Sequence, residues 1–363
     1  MRVAMVVTAR NERNLLAKNI LYHSSVGVTD FFIFLDQLDV SQYIAIKRLP
    51  GVRLRLSSYE HLIKAGLNTK VPRVKYISNH MVRQMAHIEI AMRECRTEGI
   101  EWLLNLDADE IVARDDNQDL NLGKELMRLD PGKAAVQLRP LEVVPYRFKV
   151  NCPMTELIWF KETTPFGEGA RASLSENVRL SQSTITRIEQ CAKRPDQDPF
   201  WEIIDLGLKD PAIGPLTAVH DEFGLHLIDW FVGHALGKEI VRVGPSAKFK
   251  DLHRTNIGSS QKVRTPLVLL HYNNYSFRDF YKKYGLNFLN HPDTYASGWT
   301  LDPLKKLFRD TARNSGMVEL WRAYSKYCHY DKKKLRLIHE EFPGALIRLP
   351  FPSRVALELS RKC

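Results

Sequence analysis

Short apolar runs along the first third of the chain predict buried strands. Residues 2–7, RVAMVV, and residues 30–36, DFFIFLD, are mostly apolar, and residues 52–58, VRLRLSS, alternate with period two. A fourth apolar run, EWLLNL, covers residues 101–106. Between the first two runs, TARNERNLL leaves the strand and enters a helix. The chain therefore begins with strands and helices that follow one another.

Residues 79–98 carry the clearest helical pattern. Apolar side chains recur at steps of four and three residues, at Met81, Met85, Ile88, Met92 and Cys95. Such a stripe is typical of a helix that packs one face against a core, and Gly99 is suited to end it. Strands that alternate with helices in this way predict an α/β fold with a doubly wound, mostly parallel sheet.

The remaining residues are less regular. Residues 134–144 and 266–272 predict further buried strands, and residues 301–341 predict mostly helical structure rich in charge. Residues 145–200 show little period, and connections of that length are usually functional or mobile. Because no repeat or low-complexity linker interrupts the chain, we expect one catalytic domain followed by a C-terminal helical extension.

The charge balance predicts an anionic partner. The 363 residues include 53 Lys and Arg against 42 Asp and Glu, a net charge of +11. Nucleotides, acidic glycans and anionic lipids suit such a surface. The densest basic cluster, DKKKLR at residues 331–336, is too short for a nucleic-acid arm, so we expect no nucleic-acid partner. The five cysteines are scattered without a C-x-x-C pair, which indicates a reducing compartment.

Membrane features of the sequence are limited to its end. No apolar run approaches the roughly 18 to 20 residues that cross a bilayer, and MRVAMVVTAR is too short for a signal peptide. We therefore expect a cytoplasmic chain that begins near Met1. Residues 342–363 mix apolar side chains with Arg and Lys and could lie on an anionic inner membrane face. Their prolines make packing against the catalytic domain the alternative.

Polar side chains follow the ends of the predicted strands. Thr8 and Arg10 follow the first strand, Asp36 ends the second, and Asp107 follows the fourth. Ligands of doubly wound sheets bind outside the carboxyl ends of the strands, so these residues predict a ligand site. Arg83, one turn into the next predicted helix, could reach a nucleotide from the helix end that favours anions.

Three carboxylates, Asp107, Asp109 and Glu110, follow the fourth strand directly. Acidic side chains at the end of a buried strand cost free energy unless a positive partner holds them. Asp107 and Asp109 are separated by one residue, so both can reach one point. Such a pair suits Mg²⁺ or Mn²⁺, which take their other ligands from phosphate and water. A solvated acidic turn or helix cap is the alternative.

The order of four motifs is similar to that of the family 2-like and family 92 glycosyltransferases. The motifs are the opening VVTARNERNLLAKNILYHSSVGVTDFFIFLD, then NLDADEIV, GHALGKEIVR and LLHYNNYSFRDFYKKYG. The resemblance covers approximately residues 1–290 and implies a GT-A fold. Its nucleotide-binding half would be residues 1–115, its acceptor half residues 116–290, and the helical extension residues 291–363. It implies hexosyltransferase-like transfer of a sugar, as in polysaccharide biosynthesis, from a nucleotide sugar, usually a UDP-sugar, to a hydroxyl of a glycan or lipid-linked acceptor.

The resemblance also assigns residues to the donor nucleotide. Thr8, Arg10 and Glu12 correspond to the nucleoside-binding edge, and Asp36 corresponds to a carboxylate near the uracil or ribose. Lys238 follows the family motif in LGKEIVR. A lysine that reaches the phosphates would stabilise the departing diphosphate, whereas surface charge is the alternative.

For the metal, the resemblance places Asp107 and Asp109 at the D-x-D motif, which meets ribose and cation. Glu110 is expected to face away and support the loop. A late histidine often completes such a site, and His253 in KFKDLHRTN has the corresponding place. His271, at a strand end, is the alternative.

The resemblance implies inversion at the anomeric carbon, which needs a carboxylate to deprotonate the acceptor hydroxyl. Asp221 and Glu222 in HDEFG are the first candidates. Glu168 in FGEGAR is the second, because its flanking glycines allow a substrate to approach closely, and Asp229 is the third.

Two other functions stay open from the sequence. A nucleotidyltransferase would also use carboxylates and Mg²⁺, but TARNERNLL lacks the glycines that cradle a triphosphate. A non-catalytic protein could keep the sheet and bind anionic glycan or membrane through its basic surface. The intact D-x-D motif counts against that second alternative.

Overall fold

A computed structural model of the protein describes residues 1–10, 12–36, 40–116, 118–161, 237–287, 303–341 and 344–350. The chain divides into two compact units. The first holds Met1–Arg139 and Gly237–Leu269, and the second holds the described parts of Pro140–Leu236 and Leu270–Phe351. The division predicted at residue 290 stays a prediction.

The described strands are β1 (Val3–Ala9), β2 (Asp30–Leu35), β3 (Val52–Leu56), β4 (Trp102–Asn105), β5 (Glu110–Arg114), β6 (Ala135–Val143), β7 (Trp159–Lys161), β8 (Lys238–Arg242), β9 (Lys262–His271) and β10 (Leu346–Arg348). The described helices are α1 (Arg13–Ser25), α2 (Val40–Lys47), α3 (Tyr59–Lys64), α4 (Arg73–Ser78), α5 (His80–Glu98), α6 (Leu122–Met127), α7 (Pro153–Glu156), α8 (Phe277–Phe280), α9 (Pro303–Asn314), α10 (Gly316–Tyr327) and α11 (Lys332–Glu341). A 3-10 turn covers Ser259–Gln261, and a π-helix covers Tyr281–Asn287.

The sheet of the first unit begins as a parallel, doubly wound sheet in the order β3-β2-β1-β4. The predicted α/β class is therefore confirmed. β8 then pairs antiparallel with β4, and the first residues of β6 pair antiparallel with β8. The strand order reverses beside β1, since β2 lies on one side of it and β4 on the other. In such sheets, ligands usually bind outside the carboxyl ends of the strands at the reversal, which here are the ends of β1 and β4.

Both faces of β1, β2 and β4 are buried, as their continuous apolar runs predict. Val3, Met5 and Val7 of β1 belong to one apolar cluster, together with side chains of α1. Ala4 and Val6, the alternate positions, belong to a second cluster that includes much of α5. β1 therefore contributes side chains to the hydrophobic cores on both faces of the sheet.

Helix α5 begins and ends close to the predicted residues. The Asn79 side chain caps it by accepting hydrogen bonds from the backbone N–H groups of Met81 and Val82. Gly99 ends it with φ of 67°, a left-handed conformation that glycine adopts without strain. The stripe begins later than predicted, because Met81 is exposed whereas Ile88, Met92 and Cys95 are buried.

The second unit pairs β7 antiparallel with the end of β6 and with β10. α8, α9, α10 and the π-helix pack around an aromatic cluster that includes Phe280, Tyr284, Phe308 and Tyr324. Helices α9, α10 and α11 confirm the helical structure predicted for residues 301–341. In the part of the chain that the structure describes, no helix is long and apolar enough to cross a bilayer.

Candidate active site

The acidic turn after β4 lies against a buried lysine from a distant part of the chain. Lys238, the first residue of β8, places its Nζ 3.2 Å from Asp107 Oδ2 and 3.5 Å from Glu110 Oε2. β8 runs antiparallel to β4 with Ile240 opposite Leu104, which brings Lys238 level with the turn. Burial would lower the pKa of Lys238, but the charges on Asp107 and Glu110 raise it above its ordinary value. Lys238 is therefore positively charged and is held against the acidic turn by the protein itself.

The carboxylates of the turn differ in exposure. Glu110 is buried, and its Oε2 accepts a hydrogen bond of 2.7 Å from the backbone N–H of Asp107. The Asp107 side chain is 36% exposed, and its Oδ1 accepts a hydrogen bond of 2.8 Å from Gln84. Asp109 is partly exposed in the same turn. Glu110 thus braces the turn, while Asp107 and Asp109 can meet a ligand.

Buried polar side chains of α1 hold the turn from behind. Asn19 donates hydrogen bonds from Nδ2 to the carbonyl oxygens of Ala108 and Glu110, at 3.0 and 2.8 Å. His23 receives a hydrogen bond from the backbone N–H of Val112 at Nε2, so its Nδ1–H donates to Asn19 Oδ1 at 2.7 Å. Sequence reasoning missed this support. The only sequence signal was a polar pair spaced by four residues on the inner face of a helix.

Asp36, at the end of β2, is enclosed by three cationic or protonatable side chains. Arg83 donates to both Asp36 oxygens at 2.8 to 3.0 Å, His80 Nδ1 lies 3.1 Å from Oδ2, and Arg10 lies 3.5 Å from Oδ2. Burial would raise the pKa of Asp36, but the hydrogen bonds from His80 and Arg83 hold it far below its usual range. The Asp36 carboxylate is fully buried, whereas the Arg10 side chain is 17% exposed. Of these two residues predicted to bind the nucleotide, Arg10 is therefore the more accessible to a ligand.

Thr8, at the end of β1, joins a buried polar network beneath this edge. Its hydroxyl lies 2.8 Å from Nδ1 of His87, whose Nε2 lies 3.0 Å from the Tyr76 hydroxyl. The His87 ring also stacks on Phe34 at 4.1 Å between ring centroids. Burial lowers the pKa of His87 to about 3, so the imidazole is neutral at physiological pH. The network fixes the ends of β1 and β2 relative to α5.

His253 belongs to the same unit as the acidic turn, and its pKa responds to charges there. Its Nδ1 lies 2.8 Å from the carbonyl oxygen of Gly237, so Nδ1 carries the proton and Nε2 the lone pair. Burial, followed by the charge on Lys238, lowers its pKa to about 4. A neutral histidine oriented by a carbonyl has the chemistry of a metal ligand.

The other predicted site residues are placed as follows. Glu12 lies at the start of α1, without a side-chain capping bond. His271 ends β9 and belongs to the second unit. Within the described ranges, no three His, Cys, Asp or Glu side chains form a group that could hold a metal ion. The predicted general bases Asp221, Glu222, Glu168 and Asp229 lie outside the described residues.

Known proteins that resemble the chain were identified by sequence and by structure. No protein-family model matches it. Two glycosyltransferase-like proteins of Arabidopsis thaliana are 22% and 23% identical to it over 154 residues, or 39% of this chain. The matches cover 30% and 34% of those proteins, so the chain spans about a third of the length of the curated relatives it matches.

Among solved structures, the chain is similar to glucosyl-3-phosphoglycerate synthase from Mycobacterium tuberculosis in complex with Mn²⁺, UDP and phosphoglyceric acid. The identity is 17%, the match covers 49% of each chain, and the TM-score is 0.24. Mouse xyloside xylosyltransferase 1 matches at 12% identity over 49% of this chain and 58% of that one, with a TM-score of 0.24. Over part of its length, the chain is thus similar in sequence to proteins described as glycosyltransferase-like.

Proposed function

We propose that this protein is a GT-A-type glycosyltransferase that moves a sugar from a UDP-sugar to a hydroxyl of a glycan or lipid-linked acceptor. The observation that carries the proposal is the D-x-D turn at the strand-order reversal beside β1, with the buried Lys238 cation against it. A diphosphate bound at this turn would meet the positive charge of Lys238. The sequence similarity to glycosyltransferase-like proteins supports the same activity.

A divalent cation fits the donor chemistry of this turn. Asp107 and Asp109 supply carboxylates, whereas His253, held by Gly237, is a third candidate that the described side chains do not gather with them into one metal-binding group. Mg²⁺ and Mn²⁺ bind few protein ligands when substrate phosphates and water complete their coordination. When bound, the cation would neutralise part of the charge on the diphosphate. Lys238 would supply fixed positive charge at the same edge, and Glu110 would keep the turn in place.

In the proposed reaction, the acceptor oxygen forms a bond to the anomeric carbon as the bond from that carbon to the diphosphate breaks. The electron pair leaves with UDP, and the acceptor proton goes to a carboxylate base. Asp221 or Glu222 is the proposed base, with Glu168 as the alternative. The amide variant of the residue that acts as the base should bind UDP normally but lose turnover, and normal turnover in the variants of all three residues would remove this assignment.

The proposed activity is tested with a panel of UDP-sugars. We expect UDP to raise the melting temperature of the wild-type protein in the presence of Mn²⁺, and one or more UDP-sugars to be hydrolysed slowly without acceptor. Stabilisation by nucleoside triphosphates alone would instead indicate a nucleotidyltransferase. No stabilisation by any nucleotide would favour the non-catalytic alternative.

A further inference from the structure

Four exposed apolar side chains lie on three consecutive helices of the first unit. Ile63 of α3, Val74 and Ile77 of α4 and Met81 of α5 are between 47% and 77% exposed. α3 contacts α4, and α4 contacts the start of α5. Isolated exposed apolar residues are ordinary, but several on one surface indicate a binding face. We refer to residues 63–81 as the α3–α4 surface.

The inner faces of these helices explain why the apolar side chains point outward. Leu62 of α3 and Tyr76 of α4 are buried in the core below. The Tyr76 hydroxyl bonds to His87 at 3.0 Å and to Ser57 at 2.9 Å, which fixes the rotation of α4. With Tyr76 held inside, Val74 and Ile77 cannot turn into the core together.

The charge of this segment is of one sign. Residues 61–88 contain five Lys and Arg and no Asp or Glu. Four of these cations, Lys64, Lys70, Arg73 and Lys75, are exposed. None of these four side chains forms an ion pair with a described residue. Several exposed arginines elsewhere in the described ranges do form ion pairs. The α3–α4 surface therefore combines exposed apolar side chains with an excess of positive charge, and Glu60, at the start of α3, is the one acid of these short helices.

We propose that the α3–α4 surface binds the anionic face of a lipid bilayer peripherally. Apolar side chains of short helices enter the boundary between headgroups and acyl chains, and neighbouring Lys and Arg are attracted to anionic lipid. Val74 lies between Arg73 and Lys75, so apolar and cationic groups are interleaved. A protein interface typically gathers its apolar residues into a core with a polar rim. A second copy of this surface would bring like charges together.

The surface is connected to the candidate active site. Arg83, which holds Asp36, also donates hydrogen bonds from Nη1 to the carbonyl oxygens of Tyr76 and Ile77, at 2.9 and 2.8 Å. Lipid binding by α4 would thus fix the orientation of the candidate active site around Asp36 relative to the membrane. That orientation would suit a lipid-linked acceptor, a consequence that rests on the proposed function, whereas the lipid binding itself does not.

Vesicle sedimentation with the full chain tests the proposal without any nucleotide. We expect binding to mixed phosphatidylserine–phosphatidylcholine vesicles that weakens with salt, and little binding to phosphatidylcholine alone. The quadruple variant Lys64→Gln, Lys70→Gln, Arg73→Gln, Lys75→Gln should bind at least about tenfold more weakly. The control Lys124→Gln, Arg128→Gln, Arg322→Gln, Arg336→Gln removes the same charge elsewhere and should bind almost normally.

The apolar part is tested by Ile63→Ser, Val74→Ser, Ile77→Ser and Met81→Ser together, with Val40→Ser, Ile44→Ser, Met127→Ser and Met317→Ser as the control. The first set should weaken vesicle binding several-fold more than the second. Absence of binding by the wild-type protein, or equal losses in surface and control variants, would overturn the proposal. A dimer in sedimentation velocity that only the first set dissociates would also overturn it, by assigning the surface to a second copy. UDP binding in the same variants reports separately on the proposed function.

Discussion

The two units each contain a buried lysine paired with acids, but the two lysines have different surroundings. Lys161 of the second unit lies 3.0 Å from Glu142 and 2.8 Å from the Tyr330 hydroxyl, and lysine and glutamate side chains are each 3% exposed. Lys238 of the first unit is 1% exposed, yet its partner Asp107 is 36% exposed. A closed pair can only hold the fold together. A pair with one open partner can also meet a ligand.

This difference teaches that burial of a charge does not identify a functional site. Both lysines have a pKa above the ordinary value, because nearby carboxylates outweigh the effect of burial. What distinguishes Lys238 is its position at the strand-order reversal and the exposure of Asp107. Four predictions test the comparison, in order of decreasing effect.

The largest effect on stability is expected for Lys161→Met. Removing one partner of a fully buried pair leaves Glu142 with a poorly compensated charge, at a cost of about 3–5 kcal/mol in the free energy of unfolding. Urea unfolding measures it, and UDP binding by the remaining folded protein should be unchanged. An equal loss in Lys238→Met would show that the two lysines do the same structural work.

A large effect on activity is expected for Lys238→Met. If the proposed function is right, loss of this fixed charge at the proposed diphosphate site should reduce donor turnover by about 10²–10³-fold. Its effect on the free energy of unfolding should be smaller than that of Lys161→Met, because water can reach Asp107 and the backbone N–H of Asp107 still donates to the buried Glu110. Lys262→Met, which removes a lysine paired with Glu239 in the same unit, is the matched control and should retain turnover.

Asp107→Asn sharpens the difference between the open and the buried acid. We expect it to abolish the stabilisation of the protein by Mn²⁺ and UDP while costing at most about 1 kcal/mol in the free energy of unfolding. Glu110→Gln should cost more in the free energy of unfolding, because this buried side chain holds the Asp107 backbone and Lys238. It should keep more of the stabilisation by Mn²⁺ and UDP than Asp107→Asn does. Thermal shift with and without Mn²⁺ measures both, and identical profiles for the two variants would contradict the assignment.

The smallest effect near neutral pH is expected from the protonation of His23. Burial lowers the pKa of His23, behind the acidic turn, to about 4. Since the unfolded chain binds a proton near pH 6.5, this group contributes its full stability above that pH and loses it progressively as pH falls towards 4. The loss is about 1.4 kcal/mol per pH unit for one histidine. Urea unfolding at several pH values should give a shallower slope for His23→Gln.

The sequence was sufficient for the parallel half of the fold. Continuous apolar runs in β1, β2 and β4 and the stripe of α5 led to the α/β class, and the placement of Asp36 and Asp107 at strand ends followed. The antiparallel pairing of β8 with β4 and β6 was not predictable, because an apolar run does not itself encode the direction of its neighbour. α3 and α4 were also missed, since six residues are too few to show helical period.

The candidate site was predictable only in part. The expectation that Glu110 supports the loop agrees with its bond to the Asp107 backbone. The contact of Lys238 with Asp107 joins residues 131 positions apart and depends on the register of β8 against β4, which no local pattern reveals. The role of Asn19 was hidden for the same reason, since its partners are backbone carbonyls of a distant turn.

Calorimetric titration of UDP in the presence of Mn²⁺ tests the central claim most directly. We predict that the wild-type protein and Lys262→Met bind UDP, that Lys238→Met binds it at least about tenfold more weakly, and that Asp107→Asn loses the dependence on Mn²⁺. Equal UDP affinity in the wild-type protein and Lys238→Met, or no binding of UDP by the wild-type protein, would contradict the assignment of the turn after β4 to the donor diphosphate.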